Sequence, residues 1–132
     1  MITPGRLDLT VQRWTQFVYL IDFEGIEFIN TSYAMQVRLY RDAPGSPLLS
    51  LVTAAAGAEG ISTQNVTVNE DGVPVSTIQI RINETTLEGL LLNAGKPGED
   101  VRLVYDLHIT GGGFPKTRWL QGAFVIAAGV TQ

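Results

Sequence analysis

The strongest constraint on the fold is an alternation of apolar and polar residues in the C-terminal third of the chain. Large apolar side chains occupy every second position from Val101 to Ile109. A period of two predicts a β-strand that buries one face. A glycine-rich turn at 111–115 and a second apolar run, Arg118–Ile126, follow directly. We therefore expect a β-hairpin that closes an all-β domain.

Earlier parts of the chain show the same kind of pattern in shorter runs, separated by turn residues such as the Asp71-Gly72 pair. The segment 15–23 differs because it is apolar on both faces, which predicts a central strand covered on both sides. The other predicted strands cover residues 7–12, 34–41, 48–53, 61–68 and 76–82.

The turn spacing also predicts how these strands assemble. Around seven to nine short strands separated by turns are typical of an antiparallel β-sandwich. Residues 85–92 predict one short helix, which Asn83 or Thr85 can cap. We expect a single domain over residues 1–132, in which 1–6 and 127–132 form extended arms that can add a strand to a neighbouring subunit.

Composition narrows the range of partners and compartments. Nine lysines and arginines against 13 aspartates and glutamates give a net charge of −4, and the basic residues are scattered along the chain. This balance disfavours nucleic acid, whose binding depends on clustered basic residues. No apolar run reaches the roughly 18 residues of a membrane-spanning helix. The absence of cysteine fits synthesis in a reducing cytoplasm, so we expect neither a nucleic-acid nor a membrane partner.

No set of residues in the sequence forms a recognisable catalytic or metal-binding motif. His108 is the only histidine, and the strand pattern places it on the polar face of its strand. A serine triad needs a nucleophile beside such a base, and no Gly-x-Ser-x-Gly elbow occurs. The acidic pairs Glu70-Asp71 and Glu99-Asp100 lie beside glycines in predicted loops. We therefore expect no enzyme activity, no catalytic residues, no metal and no cofactor.

Aromatic residues are the main candidates for a binding surface. Exposed tryptophan and tyrosine side chains are used by carbohydrate-binding modules to stack on sugars, which is one hypothesis for this chain. The other is that they serve core packing or a subunit interface, where aromatic side chains contribute much of the burial energy. This second interpretation is the more direct one for the two tryptophans. The candidates are Trp14, Tyr33, Tyr40, Phe114 and Trp119.

Several short motifs occur in a familiar order. Met35-Gln36-Val37-Arg38 lies in a predicted strand, Tyr105-Asp106-Leu107 lies in another, and Trp119-Leu120-Gln121-Gly122 leads to Val130-Thr131. Together with the segment 14–25 and Thr86-Leu87, they resemble small structural proteins of tailed bacteriophages. More narrowly, residues 7–131 are similar to the N-terminal β-sandwich domain of phage upper-baseplate and tail-fibre-anchoring proteins.

The resemblance implies an immunoglobulin-like sandwich that docks onto other virion proteins and assembles in several symmetric copies without catalysis. It implies a virion location, in a tail, baseplate, fibre attachment or head decoration. On physical grounds we expect Tyr105 to be a core anchor whose hydroxyl reaches a loop, since buried tyrosines usually find a hydrogen-bond partner. We expect Asp106 to hydrogen-bond with neighbouring backbone or with Arg118. The alternative function is a carbohydrate-binding module that uses the exposed aromatics, with a host glycan as its partner.

Overall fold

The computed structural model describes residues 5–55, 57–94, 98–111 and 114–129. Over these residues the chain forms nine β-strands and one helix. The strands are β1 (Gly5–Arg6), β2 (Leu9–Gln12), β3 (Phe17–Glu24), β4 (Ser32–Arg38), β5 (Leu49–Val52), β6 (Gly60–Val68), β7 (Pro74–Ile82), β8 (Val101–Gly111) and β9 (Phe114–Ala127), and the helix α1 (Glu84–Ala94) lies between β7 and β8.

The strands form two sheets, which confirms the predicted all-β sandwich. The larger sheet has the order β1-β9-β8-β4-β5, and β2 also pairs with β9. Its central pairs β9-β8, β8-β4 and β4-β5 are antiparallel, whereas β1 and β2 run parallel to β9. The predicted closing hairpin is the β8-β9 pair.

The smaller sheet has three strands in the order β3-β7-β6, all antiparallel. Its β6-β7 hairpin turns at Asn69, whose side-chain oxygen accepts hydrogen bonds from the backbone of Asp71 and Val73. This is the turn that the Asp-Gly pair predicts. One parallel bridge, Thr53 to Ile61, connects the end of β5 to β6.

The core lies between the sheets and is built by the alternation seen in the sequence. Strands β7 and β8 bury every second residue along most of their length. Since successive side chains in a strand point to opposite faces, each strand contributes one apolar row to this layer. The fully buried core includes Leu9, Met35, Ile61, Ile78, Ile80, Ile82, Leu103, Leu107 and Phe124.

The helix closes one end of the sandwich. It begins at Glu84, directly after β7, and buries Leu87 and Leu90. Arg13 Nε donates to Glu88 Oε1 at 2.8 Å, which joins the helix to the segment between β2 and β3. The predicted helix is therefore confirmed, with bounds a residue or two wider on each side.

The structure corrects the prediction for residues 15–23. Strand β3 is an edge strand, not a central one, and only one of its faces is covered. Val18 and Leu20 point to the uncovered face, with exposed fractions of 45% and 57%. A run that is apolar on both faces is expected of a strand buried on both sides, but here one apolar face remains open to solvent.

The two predicted arms lie partly within the described residues. Gly5 and Arg6 pair with Leu120 and Gln121 of the same chain, so this part of the N-terminal arm belongs to the sheet. Ala127 pairs with Gln12 as the last residue of β9. Ala128 and Gly129 follow the end of β9, and residues 1–4 and 130–132 of the predicted arms lie outside the described residues.

Candidate binding groove and open sheet edge

The structure distributes the five aromatic candidates over different parts of the molecule. Tyr33 is only 3% exposed and belongs to the core, so it is not part of a surface. Trp119 packs against the core from the partly buried layer. Trp14 is half-buried near the helix, Tyr40 is 58% exposed, and Phe114 begins β9 with its side chain outside the described part of the chain. They do not form one stacking surface.

Tyr33 and Trp119 have packing roles that their contacts make clear. The Tyr33 hydroxyl hydrogen-bonds with the hydroxyls of Thr31 and Thr63. The Trp119 ring meets Phe23 and Phe28 edge-on, with centroid distances of 6.1 and 6.0 Å. Edge-to-face pairs at this separation are favourable for aromatic rings. Trp119 therefore packs against the core of its own chain.

Trp14 has a different environment. Its backbone has a φ of 69°, a conformation that non-glycine residues rarely adopt. Its amide N–H donates to Glu88 Oε2 at 2.9 Å, and the guanidinium of Arg13 lies 4.2 Å from the centre of its ring. These contacts connect the β2-β3 turn to the helix, so Trp14 has a structural role at this end of the sandwich.

A groove of about 380 Å³ lies on the outer face of the six-stranded sheet. The strand register explains its floor, because Gln36 of β4 lies beside Asp106 of β8, and Asp106 lies beside Gln121 of β9. Arg6 of β1 continues this row beyond Gln121. Side chains directly opposite each other on one face of a sheet are neighbours. The floor is therefore a row of polar side chains that crosses four strands.

A second row lies parallel to the first. Ala34 of β4 is opposite His108 of β8, and His108 is opposite Arg118 of β9. Asp106 of the first row contacts the second row, since its Oδ2 lies 3.2 Å from Arg118 Nε and 3.6 Å from His108 Nε2. The predicted pairing of Asp106 with Arg118 is confirmed.

The loop between β4 and β5 forms one wall of the groove. Arg38 Nη1 donates to the carbonyl oxygens of Ala43 and Gly45 at 2.8 and 2.7 Å. This guanidinium is therefore committed to holding the loop. Tyr40 and Arg41 of the same loop also line the groove. Arg41 Nη2 donates to Gln121 Oε1 at 3.2 Å across the groove.

The groove concentrates positive charge in an acidic protein. Five of the nine lysines and arginines line it, together with His108 and only two acidic residues, whereas the whole chain has a net charge of −4. Its cations are Arg6, Arg38, Arg41, Lys116 and Arg118. Scattered positions in the sequence thus become one basic surface in the fold.

Tyr105 joins the groove to the N-terminal strands. It is 4% exposed, and its hydroxyl donates a hydrogen bond to the carbonyl oxygen of Leu7, between β1 and β2. The predicted role of Tyr105 as a core anchor is thereby confirmed. Burial, with a smaller effect from the Asp8 carboxylate, raises the pKa of this hydroxyl above its usual range.

The second feature is the open edge of the smaller sheet. Strand β3 pairs with β7 through eight consecutive residues, Phe17–Glu24, without a bulge. Its other side pairs with no strand in the described part of the chain. Val18 and Leu20 stand on the outer face of this edge.

Metal-binding clusters and membrane-spanning helices are absent from the described ranges. Across residues 5–55, 57–94, 98–111 and 114–129, histidine, aspartate and glutamate form no group of three that could hold a metal ion. None of the helices in the same ranges is long and apolar enough to cross a membrane. Glu70 and Asp71 are exposed in a hairpin turn, and Asp100 accepts a hydrogen bond from the Ala128 amide.

Comparison with protein-family models, with curated proteins and with solved structures finds no match to this chain.

Sequence reasoning places some groove residues correctly on outer faces but does not bring them together. The alternation in the predicted strand 34–41 places Gln36, Arg38 and Tyr40 away from the core, although Tyr40 lies in the loop after β4. The alternation in β8 places Asp106 and His108 away from the core in the same way. Their proximity depends on the register between strands that are about 70 residues apart. The sequence around each strand does not indicate how the strands are aligned with one another.

Proposed function

We propose that this protein is a non-enzymatic structural protein that acts by docking onto copies of itself and onto other proteins of an assembly. The observation that carries the proposal is the open, apolar edge of β3. A strand edge presents unpaired backbone N–H and C=O groups that another strand can pair with.

The other sheet edges are protected in ways that β3 is not. β5 is four residues long, and β1 and β2 are two short pieces. β6 is interrupted by a bulge between Thr63 and Asn65. Short strands and bulges are the usual means by which proteins prevent edge pairing. Strand β3 is long and regular, which favours it as an interface.

The partner that β3 suits best is a second copy of itself in antiparallel orientation. When Tyr19 lies opposite Tyr19 of the second copy, Val18 of each chain lies opposite Leu20 of the other. This register forms apolar cross-strand pairs on the outer face. It also keeps Asp22 away from its own copy, because in this register Asp22 faces Gln16. The result is a continuous six-stranded sheet across a two-fold axis.

The energy of this contact fits a component of a larger assembly. Edge pairing leaves the outer face open, so each Val18–Leu20 pair contributes only as a cross-strand pair, about 0.2–1 kcal/mol. The two pairs together contribute about 0.4–2 kcal/mol before backbone hydrogen bonds are added. Association itself costs at least about 4 kcal/mol. An isolated pair should therefore bind weakly, with a Kd of about 10 μM to 1 mM, and several copies in one assembly should bind much more strongly.

The phage context comes from the resemblance of the segments Met35–Arg38, Tyr105–Leu107 and Trp119–Gly122. On that basis we place the protein in the virion of a tailed phage, made in the host cytoplasm, with other virion proteins as partners. Detection of the protein in purified particles by mass spectrometry supports this placement, and its absence from particles that otherwise contain all structural proteins refutes it.

Sedimentation equilibrium over a wide concentration range tests the docking itself. Leu20→Lys places a charge at the centre of the β3 edge and should abolish self-association. Val52→Lys is the matched control, because Val52 is also an exposed valine in a strand, at 62%, but lies in the other sheet. We expect Val52→Lys to associate as the wild type does. Equal association of all three proteins, or equal loss in both variants, contradicts the role of β3.

The alternative, a carbohydrate-binding module built on exposed aromatics, loses its original support in the structure. Of the five candidates, Tyr33 and Trp119 pack in or against the core and Trp14 contacts the helix. Tyr40 is the exposed aromatic in the described part of the groove.

A further inference from the structure

The groove on the six-stranded sheet has a composition that the docking function does not require. It lies on the opposite sheet from β3, so it is independent of the self-association proposed above. Five of the chain's nine basic side chains line it. In a chain with a net charge of −4, concentrating cations in one concave surface gives that surface a field opposite to that of the whole molecule. An anionic ligand is the partner that such a field selects.

The floor of the groove indicates what else the ligand must contain. Gln36, Asp106 and Gln121 form a row across neighbouring strands, which are about 4.8 Å apart in a sheet. Amide groups both donate and accept hydrogen bonds, and a carboxylate accepts them. A ligand with several hydroxyl groups can satisfy such a row, because each hydroxyl both donates and accepts. The floor therefore suits a polyhydroxylated ligand better than a bare inorganic anion.

The cations lie in two places around this floor. Lys116 and Arg118 lie in the first part of β9, and Arg6 and Arg41 lie near Gln121. Arg118 is already paired with Asp106, whereas Lys116 has no ion pair among the described residues. Arg41 is exposed and bonded only to a neutral amide in that part of the chain. Lys116 and Arg41 are thus the cations best able to bind a negative charge.

Size and position argue against a polymer as the main ligand. A volume of about 380 Å³ is near the lower end for small-molecule sites. The groove crosses the face of the sheet, where the strands' backbone groups are already paired with one another, so an added peptide strand would find no backbone partners there. Tyr40, at 58% exposure, provides a flat apolar surface at the wall. A short saccharide can use that ring, the polar floor and the cations together.

We propose that this groove binds a short anionic saccharide, with separate carboxylate or sulfate groups against Lys116 and against Arg41 and with its hydroxyl groups on the row Gln36–Asp106–Gln121. Carboxylated and sulfated sugars share this chemistry. Trigalacturonate, sialyllactose and a sulfated disaccharide distinguish between them, each compared with its neutral counterpart.

Isothermal titration calorimetry of the wild-type protein with these probes is the first measurement. We expect at least one anionic probe to bind, and its neutral counterpart to bind about tenfold more weakly or less, because charge-assisted contacts are lost. Triglutamate, which has the same number of carboxylates on a peptide backbone, should bind more weakly than the saccharide. Equal binding of triglutamate would assign the groove to acidic peptides and overturn the proposal. Absence of binding by every anionic saccharide would also overturn it.

Charge-neutralising variants locate the site. Lys116→Gln and Arg41→Gln should each lower the affinity about fivefold to tenfold, while Lys116→Arg should retain it. Arg102→Gln is the matched control, because Arg102 is exposed on β8 outside the groove and its loss changes the net charge equally. An equal loss of affinity in Arg102→Gln would show a non-specific charge effect and refute the site.

Leu20→Lys separates this proposal from the docking function. We expect this variant to bind the saccharide as the wild type does while failing to self-associate. Loss of both properties in a folded Leu20→Lys protein would contradict the independence of the two surfaces.

Discussion

Replacing Tyr105 with phenylalanine tests how the N-terminal strands are held on the sandwich. The Tyr105 hydroxyl donates to the carbonyl oxygen of Leu7, and the side chain is almost fully buried. Tyr105→Phe keeps the ring and removes only this hydrogen bond. The loss should cost about 1 kcal/mol of unfolding free energy at neutral pH, which corresponds to roughly 3–4 °C in Tm for a domain of this size.

The pH dependence of the difference gives a sharper test. Burial first, and the Asp8 carboxylate second, raise the pKa of the Tyr105 hydroxyl above its ordinary value of 10. As the pH rises past 10, the hydroxyl ionises in the unfolded chain while it is still protonated in the folded protein. The unfolded state then binds fewer protons, so the stability that Tyr105 contributes is complete below pH 10 and falls above it, by up to about 1.4 kcal/mol per pH unit.

Urea unfolding of both proteins between about pH 8 and pH 11 measures this effect. We expect the wild type to be more stable than Tyr105→Phe by about 1 kcal/mol below pH 10, and the difference to disappear near pH 11. The other tyrosines are common to both proteins, so their ionisation cancels. A difference that stays constant across this range would refute the account of Tyr105.

Three further substitutions test local packing. Gly122→Ala should destabilise the protein by about 2 kcal/mol or more, because an added Cβ would collide with the backbone of the β1-β2 connection. Gly89 lies in open space on the helix, so Gly89→Ala should stabilise the protein by about 0.5–1 kcal/mol. Thermal unfolding measures both changes, and equal effects of the two substitutions would contradict this reasoning. Ser76→Ala should lower the free energy of unfolding by about 2–3 kcal/mol, because the buried Ser76 hydroxyl accepts from the Phe28 N–H and donates to the Ile26 carbonyl oxygen. Chemical unfolding measures this loss, and a value below about 0.5 kcal/mol would contradict the role of Ser76.

The strands could be predicted from the sequence because each buries one face, and a period of two is a local property. The predicted strand at 76–82 differs from β7 by only two residues at its start. The alternation of strand faces also determines the environment of Tyr33, which lies two residues before Met35 and shares its buried face. Leu39 follows the same alternation but is 50% exposed, because β4 ends at Arg38.

The two functional surfaces could not be predicted in the same way. The sequence of β3 is apolar on both faces whether its second face is covered by protein or left open, so the pattern alone does not distinguish a central strand from an interface edge. The groove needs the register of β4, β8 and β9, which long-range pairing determines. Its cations, among them Arg6 and Lys116, are far apart in the sequence and meet only in the fold.

Disulfide trapping at the β3 edge tests the central claim most directly. The chain has no cysteine, so Val18→Cys and Leu20→Cys each introduce a single thiol. In the proposed antiparallel register these two positions are opposite each other, with Cβ atoms about 4.5–5.5 Å apart, whereas each is about 7–8 Å from its own copy. Disulfides need a Cβ separation near the shorter value.

We therefore predict that an oxidised mixture of the two variants forms mainly the mixed dimer, which mass spectrometry distinguishes from the two homodimers. Each variant alone should form little dimer. Equal yields of mixed and self-linked dimers, or no dimer in the mixture at concentrations where the wild type self-associates, would contradict the docking of β3 onto its own copy.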